Sequence, residues 1–140
     1  EMFYDVSRRQ YNANEMLQYL HAMEHPQADY KLLLVQEDIF IPILTYIFGQ
    51  AVYKGNTGVV SLYRLRNEQY GLEPDLPLLA KRTWKVITHE VGHMLGLGHS
   101  HVPTCVMRSS TYVEDIDQKN RYLCPQCMEK IALRRSSGNG

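Results

Sequence analysis

The 140-residue chain has the length of one domain, with 44% hydrophobic and 21% charged residues, close to the average for a soluble globular protein. Fifteen basic and fifteen acidic residues cancel, which argues against a general nucleic-acid or membrane-surface binder. The longest apolar stretch, "IFIPILTYIF" at 39–48, contains Pro42 and Thr45 and is too short to span a bilayer. In chain order, Leu17, Leu20 and Met23 recur at helical spacing and predict a helix over 14–23. "YKLLLVQED" (30–38) predicts a buried strand with an acidic stop, and "IFIPILTYIFGQA" (39–51) is ambiguous. "TGVVSLYRL" (57–65) is β-branched and reads as a strand. Loop chemistry follows in "YGLEPDLP" (70–77), then a strong helix pattern over 78–95, which Gly96 and Gly98 stop. This order predicts an α/β or α+β fold, a sheet with packed helices.

After Gly98 the chain is too sparse in apolar residues to build a core alone, and a bound metal would compensate. We therefore expect one domain over 1–140. About 1–98 would form the sheet and active-site helix, and about 99–140 a cysteine-containing lower subdomain. The basic tail "KIALRRSSGNG" reads as a solvated chain end. The start, "EMFYDVSRRQ", lacks the apolar core of a signal peptide. Three cysteines, two of them in "CPQC", then read as metal binding in a cytoplasmic protein.

The string "HEVGHMLGLGHSH" (89–101) carries the chemistry. Each helical residue turns by about 100°, so with His89 at zero, His93 lies about 40° and Glu90 about 100° away. All three face one side. Ile87, Val91, Met94 and Leu95 fall on the other. Two imidazoles at i and i+4 suit one zinc ion, and a catalytic zinc needs a third ligand and an open position. His99 can supply the third if Gly96 adopts positive φ and turns the chain back. Glu90 then suits the role of general base on a zinc-activated water. The extended H-E-x-x-H-x-x-G-x-x-H string fixes five positions and is a strong signal.

These residues resemble the archaemetzincins, a branch of the metzincin metalloproteases. The similarity runs from "LLLVQEDIF" through "VVSLYRLRNEQYGL" to "CPQCMEKI". The resemblance implies a metzincin-like twisted sheet and zinc ligands at His89, His93 and His99, with Glu90 as base. It also puts Met107 beneath the metal as an apolar floor, and "TGVVSLYRL" at the sheet edge above the cleft. A second zinc, held by four cysteines, belongs to the family pattern. Cys105, Cys124 and Cys127 match it, but Ser100 stands where the first cysteine would be.

C-x2-C at 124 and 127 with Cys105 upstream is a zinc cluster short of one ligand. His101 is the favoured fourth, giving a Cys3His structural site, on the ground that imidazole reaches further than a thiolate. Ser100 or a water is the rival, and an empty or partly filled site is the third possibility. The expectation is thus two zinc ions, one catalytic and one structural, in a monomeric peptidase acting on peptide or protein substrates. The alternative is a non-catalytic zinc-stabilised peptide- or protein-binding module, which the intact Glu90 disfavours. No oxyanion donor is assignable. Tyr63 and Tyr70 could shape a specificity pocket or simply pack.

Overall fold

Asn12 and Asp75 start two of the helices of the computed structural model, which describes residues 2–23 and 27–138. Asn12 accepts a hydrogen bond from the Glu15 amide, and Asp75 from the Leu78 amide, each satisfying an N–H that the helix itself cannot. The elements run β1 (Tyr4–Asp5), β2 (Gln10–Asn12), α1 (Ala13–Ala22), β3 (Lys31–Val35), β4 (Ile39–Phe40), β5 (Gly49–Ala51) and β6 (Thr57–Ser61). Two 3-10 turns, Tyr63–Leu65 and Asn67–Tyr70, then lead to α2 (Leu76–Met94), α3 (Val113–Gln118) and α4 (Pro125–Gly138). The mixed α+β class expected from the element order is what forms. The ambiguous 39–51 stretch resolves into two short strands, β4 and β5. The side chains of Arg134 and Arg135 in the basic tail lie outside the described residues.

The strands form two three-stranded sheets, ordered β1-β2-β4 and β3-β6-β5. In the second, β3 runs parallel and β5 antiparallel to β6. This corrects the expected place of "TGVVSLYRL": β6 is the central strand, and β5 is the edge. The reason is burial on both faces. Alternate residues of a strand point to opposite faces. Val59 packs into the cluster around α1 with Met16, Leu17 and Ile39. Val60 packs into the cluster around α2 with Phe48, Leu65 and Val86. A strand apolar on both faces belongs in the sheet interior. The reading of β3 as buried is also corrected: it is the other edge, and Leu34 is 52% exposed.

Residues beyond 99 dock on α2 through a buried cation that sequence pattern does not flag. Arg82 is buried; its Nε and Nη2 grip Asp117, each at 2.8 Å. Its Nη1 donates to the Leu65 carbonyl at 2.8 Å and to Asn67 Oδ1 at 3.0 Å. One turn later Lys85 Nζ donates to the Ile116 carbonyl at 3.0 Å, where a cation also meets the negative end of the α3 dipole. Helix α3 is thereby fixed against α2, and Val113 and Ile116 complete the apolar cluster under β6. Among the described residues no helix is long and apolar enough to cross a membrane.

Candidate active site

Helix α2 ends at Met94, and Gly96 turns the chain with φ 97°. A side chain would strain that backbone, whereas glycine adopts it freely. The turn returns His99 to the helix face that carries His89 and His93. The ligand-capable atoms of the three imidazoles lie within 4.8 Å of one another. His89 Nδ1 is 2.8 Å from the Val106 carbonyl, and His93 Nδ1 is 2.8 Å from the Leu97 carbonyl. A carbonyl can only accept, so each Nδ1 carries a proton, and in a neutral ring that leaves Nε2 with a bare lone pair. The two Nε2 atoms stand 3.1 Å apart. Two lone pairs at that distance repel unless a cation lies between them. Two nitrogens on a tetrahedral zinc would be about 3.3 Å apart, so the residues fit such an ion. Burial, together with the Lys119 charge, pushes His89 down to about 3, which keeps the ring neutral.

Glu90 is 5% exposed and makes no hydrogen bond to any described residue. Burial pushes its carboxyl up to about 8, with the Lys119 charge opposing. An acid–base group is most useful near the operating pH. Both it and the imidazoles line a cleft of about 710 Å³, together with β5 and residues 109–112. Gly49 of β5 lets the carboxylate sit against the strand. A Cβ there would stand 2.9 Å from Glu90 Oε2 and 3.0 Å from the Val59 carbonyl. Gly49→Ala is therefore expected to displace the carboxylate and lower kcat/KM about tenfold, roughly 1.4 kcal/mol of barrier. Steady-state kinetics beside a melting curve check this, since unchanged kcat/KM would mean that the carboxylate position tolerates the shift.

Met107 is fully buried and lies against Gly92 of α2. A Cβ at Gly92 would collide with its sulfur, so this glycine inside the H-E-x-x-H string admits the methionine. Lys119 clamps the same turn. Its Nζ donates to the Val106 carbonyl at 3.1 Å and to the Arg108 carbonyl at 2.7 Å, on either side of Met107. Lys119 lines the cleft and is 7% exposed. Burial lowers its ammonium to about 8, while the nearby Glu90 charge raises it.

The three cysteines form a second cluster, also with ligand atoms within 4.8 Å. Each is a free, buried thiol. The Cys105 and Cys127 sulfurs are 3.8 Å apart, and Ser100 Oγ is 3.7 Å from Cys124 Sγ. His101 is not among them: it is exposed and stands outside both clusters. The expectation of His101 beside the thiols thus fails on geometry. Ser100 pairs with the 107–108 segment, its amide donating to the Met107 carbonyl at 3.0 Å. One residue on, the chain bends at His101 and leaves its side chain exposed, and the longer reach of an imidazole does not offset that.

Tyr63 and Tyr70 do not line the cleft; the Tyr70 hydroxyl is bonded to the Arg64 carbonyl. The tyrosines at the cleft are Tyr46, Tyr53 and Tyr112. Tyr46 spans its end, donating to the Thr111 carbonyl at 2.7 Å with Arg64 stacked on its ring. Sequence reasoning missed Gly49, Tyr46 and Lys119, which reach the site by long-range packing and carry no local spacing signal.

The model of Peptidase family M54 matches residues 1–133. The archaemetzincin of Saccharolobus solfataricus is 38% identical over 128 residues, covering 91% of this chain and 69% of that protein. A crystal structure of the archaemetzincin from Methanopyrus kandleri superposes with a TM-score of 0.88 at 36% identity, over 96% of this chain and 71% of the other. That of a zinc-dependent peptidase from Methanocorpusculum labreanum gives 0.81 at 28% identity, over 92% of this chain and 78% of the other.

Proposed function

The chain belongs to peptidase family M54, and from that premise we propose that it hydrolyses peptide bonds with zinc, using Glu90 as general base. The observation that carries the reading is the pair of Nε2 atoms at 3.1 Å, with a buried carboxyl sharing their cleft. His89, His93 and His99 would hold the ion. When bound, zinc supplies Lewis acidity, polarising a carbonyl and lowering the pKa of water. Val106 and Leu97 fix the tautomer and tilt of two of the rings, as outer partners of metal-ligating histidines do. Glu90 takes the proton of the attacking water and hands it to the leaving amine. The edge of β5 offers backbone groups with which an extended peptide could pair. The cysteine cluster would hold a second, structural zinc that stabilises residues 99–140. We take the active unit to be a monomer.

Exhaustive chelation is expected to abolish hydrolysis of a mixed peptide library, and zinc at stoichiometric amounts to restore it. Activity that survives removal of all metal would overturn the proposal. Absence of turnover by fully loaded protein, with peptides still bound, would favour the peptide-binding module instead.

A further inference from the structure

We infer that the cysteine cluster is a three-thiolate site whose fourth corner is the Ser100 hydroxyl, an oxygen corner that releases the metal more readily than four thiolates would. This rests on the reading that the cluster holds a metal, and it leaves His101 outside the site. Four thiolates at about 2.3 Å around zinc form a tetrahedron with edges of about 3.8 Å. The Cys105–Cys127 separation is 3.8 Å. The Ser100–Cys124 separation is 3.7 Å, close to the slightly shorter edge that an oxygen corner requires. Two separations of the length such a tetrahedron needs are thus present, and Ser100 stands on one of them.

The backbone treats Ser100 as it treats a ligand sulfur. Cys105 Sγ accepts amide hydrogens from Met107 at 3.4 Å and Cys124 at 3.3 Å. Ser100 Oγ likewise accepts the Val102 amide at 3.1 Å. Such bonds orient an acceptor and stabilise negative charge on it, the outer-partner role seen at metal sites. Ser100 is also held in place, because its own amide is bonded to the Met107 carbonyl. His101 is held the other way. Its carbonyl accepts Arg108 Nη1 at 2.9 Å, and its side chain is exposed. Bringing its ring to the thiols would break the pairing that seats Ser100.

The chemical consequence follows from the donor set. Three thiolates leave a divalent ion with one negative charge instead of two. A hydroxyl that keeps its proton near neutral pH is a weak donor beside a thiolate. Soft, thiophilic ions that are content with three sulfurs should compete well here, because ligand softness sets selectivity. The thiol trio remains buried, Cys105, Cys124 and Cys127 being 2%, 8% and 4% exposed. Exchange is therefore expected at the oxygen corner.

The test uses the full chain, kept anaerobic and loaded with cobalt(II) as the probe. Only thiolate ligands give a near-ultraviolet charge-transfer band, so the histidine site is silent in it. Ser100→Cys is expected to raise that band by about one third, from three thiolates to four, and to tighten cobalt binding at least about tenfold against a chromophoric chelator. This variant gains a property, so failed folding cannot mimic the result. Ser100→Ala should weaken binding several-fold, and His101→Ala should change neither band nor affinity. A weakened or altered band in His101→Ala, or parent-like affinity in Ser100→Ala, overturns the assignment of Ser100 while the two-metal reading stands. If the parent binds cobalt but shows no thiolate band, the cysteines hold no metal, and both readings fall.

Discussion

Glu90→Gln should lose hydrolysis by a factor of about 10² to 10⁴, the usual worth of a positioned proton acceptor, while its metal content stays at the parent value. Glutamine is nearly isosteric, so the close fit to Gly49 survives. What disappears is the capacity to take a proton from water. Folding should not suffer. The carboxyl is buried without a hydrogen bond to any described residue, so the amide that replaces it gives up no bond. A variant that melts at or above the parent and yet turns over no peptide would be a group kept for chemistry at the expense of stability. Matched kcat/KM values on a peptide library, together with metal analysis by mass spectrometry, decide the matter. Equal turnover by parent and variant would remove Glu90 from the mechanism.

The site was legible in sequence wherever its geometry is local. His89, Glu90 and His93 share one helix, so a rotation of about 100° per residue puts them on one face. Gly96 then had to turn the chain for His99 to return, and its φ of 97° does so. The reading stopped working one residue later. Ser100 and His101 differ by a single step, and the chain bends at that step, leaving the His101 side chain exposed. The choice between them depends on the pairing of Ser100 with Arg108, a contact that sequence does not display. The sheet shows the same divide. The β-branched run of β6 was readable as a strand, but its central position follows from having α1-side and α2-side clusters on its two faces. Gly49 and Lys119 approach Glu90 and Val106 from distant segments of the chain, and their own surroundings in sequence look like an ordinary strand and an ordinary helix end.

Lys119→Met should unfold about 3 kcal/mol more easily than the parent and hold the active-site metal roughly ten- to a hundredfold less tightly. Lysine and methionine have similar length, so the change mainly deletes an ammonium. Two hydrogen bonds go with it, to the carbonyls of Val106 and Arg108. Bonds from a charged donor contribute about 1.5–3 kcal/mol each, and stranding their acceptors in a buried place adds to the loss. The functional consequence runs through one atom. The Val106 carbonyl that receives Lys119 Nζ also receives His89 Nδ1 at 2.8 Å. Freeing the turn around Met107 therefore loosens both its packing on Gly92 and the group that orients one of the imidazoles. Urea denaturation of the metal-free protein measures the first effect, and zinc competition with a chromophoric chelator measures the second. Lys119→Arg should rescue little, because a planar guanidinium presents its donors in a fixed fork and not as a compact point charge between two carbonyls. If Lys119→Met unfolds like the parent, the clamp contributes nothing. If it unfolds more easily but binds zinc unchanged, Lys119 supports the fold alone, and His89 keeps its orientation by packing.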